Sequence, residues 1–162
     1  MITLDQQAKR VADRINYTIE SLIGELVVDT FNKIKQNVES TGGGFGSPVL
    51  TGRYYTSHRI SFGTLDTTVS PEAPEGTVYP ELGFFNVDDF VDRFTLGQTV
   101  YISNALPYAI DLEEGYSQFK APQGIYGVSL SSAEAYYVSQ GVNKASARAA
   151  RKFPPIVTGV AA

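Results

Sequence analysis

Two dense acidic groups stand out, Asp88, Asp89 and Asp92 in NVDDFVDRF and Glu113 and Glu114 in LEEG. Paired carboxylates are what a divalent cation asks for. The spacing fails that test: the alternating ligands, the glycine turn and the distal glutamate of a calcium loop are absent. A solvated acidic face explains both groups. His58 is the only histidine, which excludes a zinc site of the usual kind. As a general base it would need a serine and an orienting carboxylate, and the chain has no GxSxG elbow. A surface or half-buried histidine beside Arg59 is the expectation. The glycine triplet in STGGGFGSP has the outline of a phosphate loop. No Gly-Lys-Ser/Thr follows it, and it leaves a helix rather than entering one, so Ser40 to Pro48 reads as a flexible linker. Ten tyrosines could stack bases, but single-strand binders also need a basic groove, and this chain has a net charge of −4. Core and interface positions suit the tyrosines better. No cysteine is present, so thiol chemistry and disulfides are excluded. The residues predict no catalytic set, no cofactor and no metal.

The elements that must carry these residues begin with a long helix. Leu4, Ala8, Val11, Ile15, Ile19, Leu22 and Leu26 recur every three or four residues, and Phe31, Ile34 and Val38 continue with a small phase slip. Thr3 and Gln6 fit a capping box. The periodicity predicts one helix from Thr3 to about Glu39, roughly 50 Å long, with Gly24 its one weak point. The first half is expected to be wrapped by the rest of the chain, and part of the second half to project towards a neighbour.

Further along, Thr51 is expected to cap a short turn through Tyr54, Tyr55 and Ser57, with the two tyrosines core and surface in turn. Ile60 and Phe62 alternate with small residues as a strand, which Thr64 to Val69 would prolong. Prolines break residues 71–80 into an irregular acidic loop. Leu82 to Phe85 reads as a short strand, and Val87 to Phe94 as a helical turn capped by Asn86. Val100 and Ile102 alternate with Tyr101 and Ser103 as another strand. Pro107 to Glu114 reads as a two-turn helix with Tyr108, Ala109 and Leu112 inward and Asp111, Glu113 and Glu114 outward, stopped by a left-handed Gly115. A last helix starts near Ser131, kinks about Gly141 and Asn143, and ends at Phe153-Pro154-Pro155. The fold class is α+β: a long N-terminal helix packed on a small antiparallel sheet with short helices. Residues 1–152 form the domain, and 153–162 an extended tail.

Charge is unevenly spread. Residues 1–59 hold seven basic and six acidic side chains, residues 60–119 one and ten, and residues 120–162 five and one. An acidic middle beside a basic end suits pairing within the chain or head-to-tail contact between copies. No apolar run reaches membrane-spanning length, and charges interrupt the N-terminus where a signal peptide would be apolar. A soluble protein made in a cytoplasm is expected.

The string SNALPYAIDLEEGYSQFKAPQGIYG, with PVLTGR upstream, resembles a family of tailed-bacteriophage neck and tail-completion proteins. The shared pattern is an N-terminal helix, P-x-x-TG-R, a strand, N-x-x-x-YA-x-x-LE-x-G, an AP-x-G loop and a closing helix. The resemblance covers about two-thirds of the chain and is weakest over the 64–80 loop. It implies a structural virion protein and not an enzyme. Such a protein forms a homo-oligomeric ring, a hexamer or dodecamer, at the head–tail junction. The portal or adaptor would lie on one side and the tail terminator or tail tube on the other, with double-stranded DNA passing through unbound. A tail-terminator ring is the related alternative. A small metal-dependent hydrolase or nucleic-acid-processing protein is the alternative of another class.

Under the ring reading, subunit contacts fall on Asp111, Glu113, Glu114, Tyr116, Lys120, Arg148, Arg151, Lys152, Phe153 and Ile156. Acids near a helix C-terminus oppose its dipole and need a cation, which Lys120 or a neighbour's Arg148, Arg151 or Lys152 would supply. Phe153, Ile156 and Val157 would be exposed in a lone chain. Glu72 and Glu75 are expected to line the channel, and Arg53 and Arg59 to orient their turn through ion pairs.

Overall fold

Thr3 opens the first element as its spacing predicts. Its hydroxyl accepts from the Gln6 N–H at 3.2 Å, and the Gln6 side chain accepts from the Thr3 N–H at 2.9 Å. Helix α1 then runs Leu4–Ile34, roughly 45 Å. It stops short of Glu39 because the chain turns at Lys35 and re-forms as a separate 3-10 turn, Val38–Thr41. The computed structural model describes residues 2–36, 38–42, 44–49, 52–72, 74, 77, 85–116 and 121–155.

The two halves of α1 fare opposite to expectation. Leu4, Ala8, Val11, Ile15 and Ile19 are exposed, while Ser21, Gly24, Glu25, Val28, Phe31 and Ile34 are buried. The phase slip is the cause. At about 100° per residue, the stripe from Leu4 to Ile19 and the buried face around Phe31 lie on roughly opposite sides of the helix. The core takes the second face. Gly24 is a close-approach site: a Cβ there would lie 2.9 Å from both Phe90 Cδ1 and Val87 Cγ1.

Helix α2 (Arg53–Thr56) buries both Tyr54 and Tyr55, so the expected surface place for Tyr55 is not met. Strand β1 (Arg59–Phe62) pairs antiparallel with β2 (Val100–Ser103), Arg59 opposite Ser103 and Phe62 opposite Val100. Residues 65–70 do not prolong β1. The Asp66 carboxylate instead accepts from the Thr68 N–H and hydroxyl, closing a local turn. Between the strands lies α3 (Val87–Arg93), and the Asn86 side chain accepts from the Asp89 N–H at 2.8 Å as its cap. The proposed Leu82 strand, Thr51, Glu75 and Lys120 fall outside the described residues.

Helix α4 is shorter than predicted, Ala109–Glu113, with Pro107 and Tyr108 in the turn before it. Ala109 and Leu112 pack inward, but Tyr108 is exposed, its ring 6.1 Å from that of Tyr54. Helix α5 (Tyr126–Tyr136) starts earlier than Ser131 and leads through a π-helical stretch, Tyr137–Gly141, into α6 (Val142–Lys152). That stretch stands where the kink was expected. Helices α3, α5 and α6 pack on α1. One apolar cluster joins Ile34, Tyr54, Leu106, Ala121 and Ile125, and a second joins Val28, Phe90 and Phe94 with Phe62 beside them. The architecture is the expected α+β arrangement of long helix, two-stranded sheet and short helices. No helix among the described residues is long and apolar enough to cross a membrane.

Candidate functional site

The signature residues converge on the junction of α2, α4 and α5. Glu113 closes the last turn of α4, and its carboxylate crosses to the start of α5. Oε2 accepts from the Ile125 and Tyr126 N–H groups at 2.7 and 2.8 Å, and Oε1 from the Gly127 N–H at 3.1 Å. These are donors that a helix start leaves unpaired, at its positive end. The cation expected opposite Glu113 is therefore replaced by backbone amides of its own chain. Glycines let the loop close on it. Gly115 ends α4 at φ +83°, as predicted. Gly124 has φ +80°, and a Cβ there would stand 2.5 Å from the Glu113 carbonyl oxygen. Ala121 and Leu106, from the same signature, lie in the core beside Tyr54 of the upstream one.

His58 holds the other side of the junction. It is buried, not at the surface. Its Nε2 lies 2.8 Å from Ser47 Oγ and its Nδ1 2.9 Å from the Tyr126 hydroxyl. Proton counting assigns the roles. Ser47 donates its one proton to the Ile34 carbonyl at 2.6 Å, so Nε2 carries the hydrogen and donates to Ser47. Nδ1 then accepts from Tyr126. Asn104 Nδ2 donates to the Tyr54 carbonyl at 2.9 Å, and its Oδ1 accepts from the Leu106 N–H. Burial, with the Lys35 and Arg59 charges, pushes the imidazole pKa down to about 3. A histidine that donates to a serine cannot take that serine's proton, so the Ser47–His58 pair has the wrong polarity for nucleophilic catalysis.

A second polar centre ties three helices. Arg148 on α6 donates from Nη1 to the buried Glu25 carboxylate at 2.6 Å and from Nε to Asp88 at 3.0 Å. Arg148, expected to face a neighbour, thus has its partners within the chain. A cleft of about 280 Å³ opens beside it, lined by Asp29, Asn32, Tyr136 and Lys144 among others. There Lys33 lies 3.5 Å from Asp29, and Lys144 donates to the Tyr136 hydroxyl. Burial raises the Asp29 carboxyl above its ordinary range, against the pull of Lys33.

The remaining predicted residues are dispersed. Asp88 and Asp89 stand in the first turn of α3, where acids favour the helix dipole. Asp111, Glu114 and Tyr116 are exposed around α4. Arg151 and Lys152 are exposed at the end of α6, with the Lys152 ammonium 5.4 Å from the Tyr17 ring centroid. Phe153 is half-buried, its ring 5.7 Å from Tyr17 of the same chain, so the exposure expected of it in a lone chain is reduced. Glu72 is exposed but accepts from Arg53 at 3.0 Å, the turn-orienting ion pair expected of Arg53. Arg59 orients its turn through Thr68 and two backbone carbonyls. Ile156 lies outside the described residues.

The sequence reading missed Ser47, Tyr126 and Glu25. Ser47 and Tyr126 are 11 and 68 residues from His58, with no local pattern joining them. Glu25 did carry a signal: it shares the buried phase of α1 with Ser21 and Val28. Among the described residues, no three His, Asp or Glu side chains converge as a metal site would require. Compared with family models, with curated proteins and with solved structures, the chain matches none of them.

Proposed function

We propose that this chain is a structural subunit of the tailed-phage head–tail junction, a neck or tail-completion protein that assembles into a ring and lets DNA pass. One observation carries the reading. The residues of the resemblance build the fold: Glu113 caps α5, Gly115 and Gly124 permit the crossing, Asn104 holds the turn, and Leu106 and Ala121 fill the core. A signature spent on architecture is what a scaffold protein keeps, whereas an enzyme's signature gathers reactive groups around a cleft. The inverted polarity of the Ser47–His58 pair weighs against the hydrolase alternative in the same direction.

The acidic middle supports passage without binding. Tight non-specific attachment to duplex DNA comes from Lys and Arg neutralising phosphates, and residues 60–119 offer a single basic side chain, Arg93. The exposed Glu72 belongs near the channel on this reading. Mass measurement and negative-stain imaging of the purified chain test the proposal, with closed rings of one copy number expected. A gel-shift titration with duplex DNA at physiological salt should show no complex. A persistent monomer with metal-dependent hydrolytic activity would overturn the proposal, and cryomicroscopy of virions would locate the density directly.

A further inference from the structure

Residues 44–49 close over the C-terminal end of α1 and are pinned there through Ser47. The Ser47 N–H donates to the Gln36 carbonyl at 2.8 Å, and the Val38 N–H donates to the Ser47 carbonyl at 3.1 Å. The Ser47 hydroxyl donates to the Ile34 carbonyl and accepts from His58 Nε2. Gly46 permits the approach: its φ is +104°, and a Cβ there would stand 2.4 Å from the Gln36 carbonyl oxygen. Phe45 adds lighter ties, its backbone to the Thr41 hydroxyl and its ring centroid 4.5 Å from the Lys33 ammonium. None of residues 44–49 belongs to either apolar cluster. A segment with so few buried apolar contacts opens without opening the core. Beside it a pocket of about 110 Å³ is already present, lined by Phe45 and Gly46 on one side and Pro122, Gly124 and Val128 on the other.

His58 lies beneath this segment. Ser47 is wholly buried and His58 is 2% exposed, so water reaches the imidazole only when something moves. The groups around the ring leave no place for a second proton. Nδ1 accepts from the Tyr126 hydroxyl on α5, and the Asn104 amide nitrogen, also a donor, stands 3.4 Å away. Turning the Tyr126 hydroxyl would supply an acceptor but leave that amide facing an N–H. On α2 the Tyr54 ring packs against the imidazole, centroids 4.8 Å apart. Lys35 from the end of α1 and Arg59 from β1 are both positive. Glu113 on α4 reaches the start of α5 beside Tyr126, but three backbone N–H groups occupy it. Residues 44–49 carry no ionisable side chain.

We propose that residues 44–49 are an acid-released latch: protonation of His58 and closure of the segment exclude each other, so acid lifts Ser47 off the end of α1 while the core stays closed. With Ser47 lifted, the imidazole meets water and takes a proton at its ordinary pKa, about 6.5. In the closed form burial, then Lys35 and Arg59, hold that pKa down to about 3. The open form therefore binds more protons between those two values, and acid favours opening throughout that window. Above it the hydrogen bonds of Ser47 keep the latch shut.

Hydrogen exchange of the full chain, corrected for the intrinsic rate at each pH, reads the latch at the Ser47 and Val38 N–H groups. From pH 7 to pH 5 their opening constant should rise roughly 25-fold, the ratio for an imidazole that titrates at about 6.5 when open and stays neutral when closed. Both groups should open more readily than the Val28 N–H in the buried half of α1, at either pH. In His58→Gln, which keeps a neutral donor and cannot titrate, the rise should be absent. The proposal is overturned by a rise that persists in the variant, by no rise in the unmodified chain, or by opening no readier than at Val28. If the variant does not fold, nitrogen NMR of the imidazole decides, because the chain has one histidine. The closed chain should keep the neutral ring, with its proton on Nε2, down to pH 5. A titration midpoint near pH 6.5 with the Ser47 N–H still protected would sink the latch.

Discussion

One helix shows two regimes. From Ser21 to Ile34, α1 lies in contact with the core: Phe90 presses on Gly24, Glu25 takes the Arg148 guanidinium, and Ile34 is wholly buried. From Leu4 to Ile19 the same helix presents its apolar stripe to solvent, held to the rest of the chain along the other side by Tyr17, Arg10 and the end of α6. The hydrophobic period is plainer in the exposed half, since the buried face sets Ser21, Gly24 and Glu25 beside Val28, Phe31 and Ile34. Periodicity identifies a face that wants covering and is silent on what covers it. In the second half the cover is intramolecular, and in the first half the stripe stays exposed.

The sharpest way to break this contrast is one substitution type at matched sites. Ile34→Ala removes a fully buried side chain between Tyr54 and Ile125. Unfolding of the isolated chain should lose about 2–5 kcal/mol, from lost burial plus the cavity left behind. Denaturant titration reads it. A loss under about 1 kcal/mol would mean that the second half of α1 is not the anchored one.

The α4–α5 junction sharpens the comparison at a pair of neighbours. Glu113 and Glu114 are adjacent in sequence and alike in chemistry, yet only Glu113 caps α5. Glu113→Gln should cost about 1.5–3 kcal/mol of stability, the range for hydrogen bonds to a charged group. Glu114→Gln should stay within about 0.5 kcal/mol, as exposed substitutions do. Equal effects from the two would remove the capping account.

Acid acts on the buried junction through His58, whereas the side chains of the exposed stripe, Leu4, Val11, Ile15 and Ile19, do not titrate. The folded-state pKa of His58, about 3, lies below the ordinary 6.5, so the unfolded chain binds more protons between those values. Stability is therefore complete above about pH 6.5 and declines as pH falls, by about 1.4 kcal/mol per unit for this group alone. Between pH 7 and 5 the unmodified chain should lose about 2 kcal/mol more than a His58→Gln variant. Parallel pH profiles of the two would show that His58 titrates normally in the fold.

What the sequence made legible followed from local rules. The capping box at Thr3, the Asn86 cap, the left-handed Gly115 and the stop at Phe153-Pro154 each need only a few neighbouring residues, and each stands where it was expected. The Glu113 clasp, the Ser47–His58–Tyr126 relay and the Glu25–Arg148–Asp88 bridge join residues 11 to 123 positions apart, and no local period encodes them. Gly24 shows the same limit. Propensity marks it as a weak point in a helix, while its actual role is set by a phenylalanine 66 residues away, Phe90.

The smallest effect is the most telling, because its sign is opposite to the usual one. Ile15 is exposed on α1 and touches neither core cluster. Ile15→Ala therefore leaves no cavity in the lone chain. Alanine is the better helix former by a few tenths of a kcal/mol, since a β-branched side chain loses rotamer freedom against the preceding turn. The isolated variant should be unchanged or more stable by up to about 0.5 kcal/mol, where Ile34→Ala on the same helix loses several. Where assembly buries the stripe the sign should reverse, because there the methyl groups would be removed from a filled contact, and the concentration needed for assembly should rise. The monomer measurement isolates folding and the concentration series isolates association, so one substitution separates the two. A clear loss in the monomer would mean that the stripe is already covered within the chain, and the contrast between the halves of α1 would disappear.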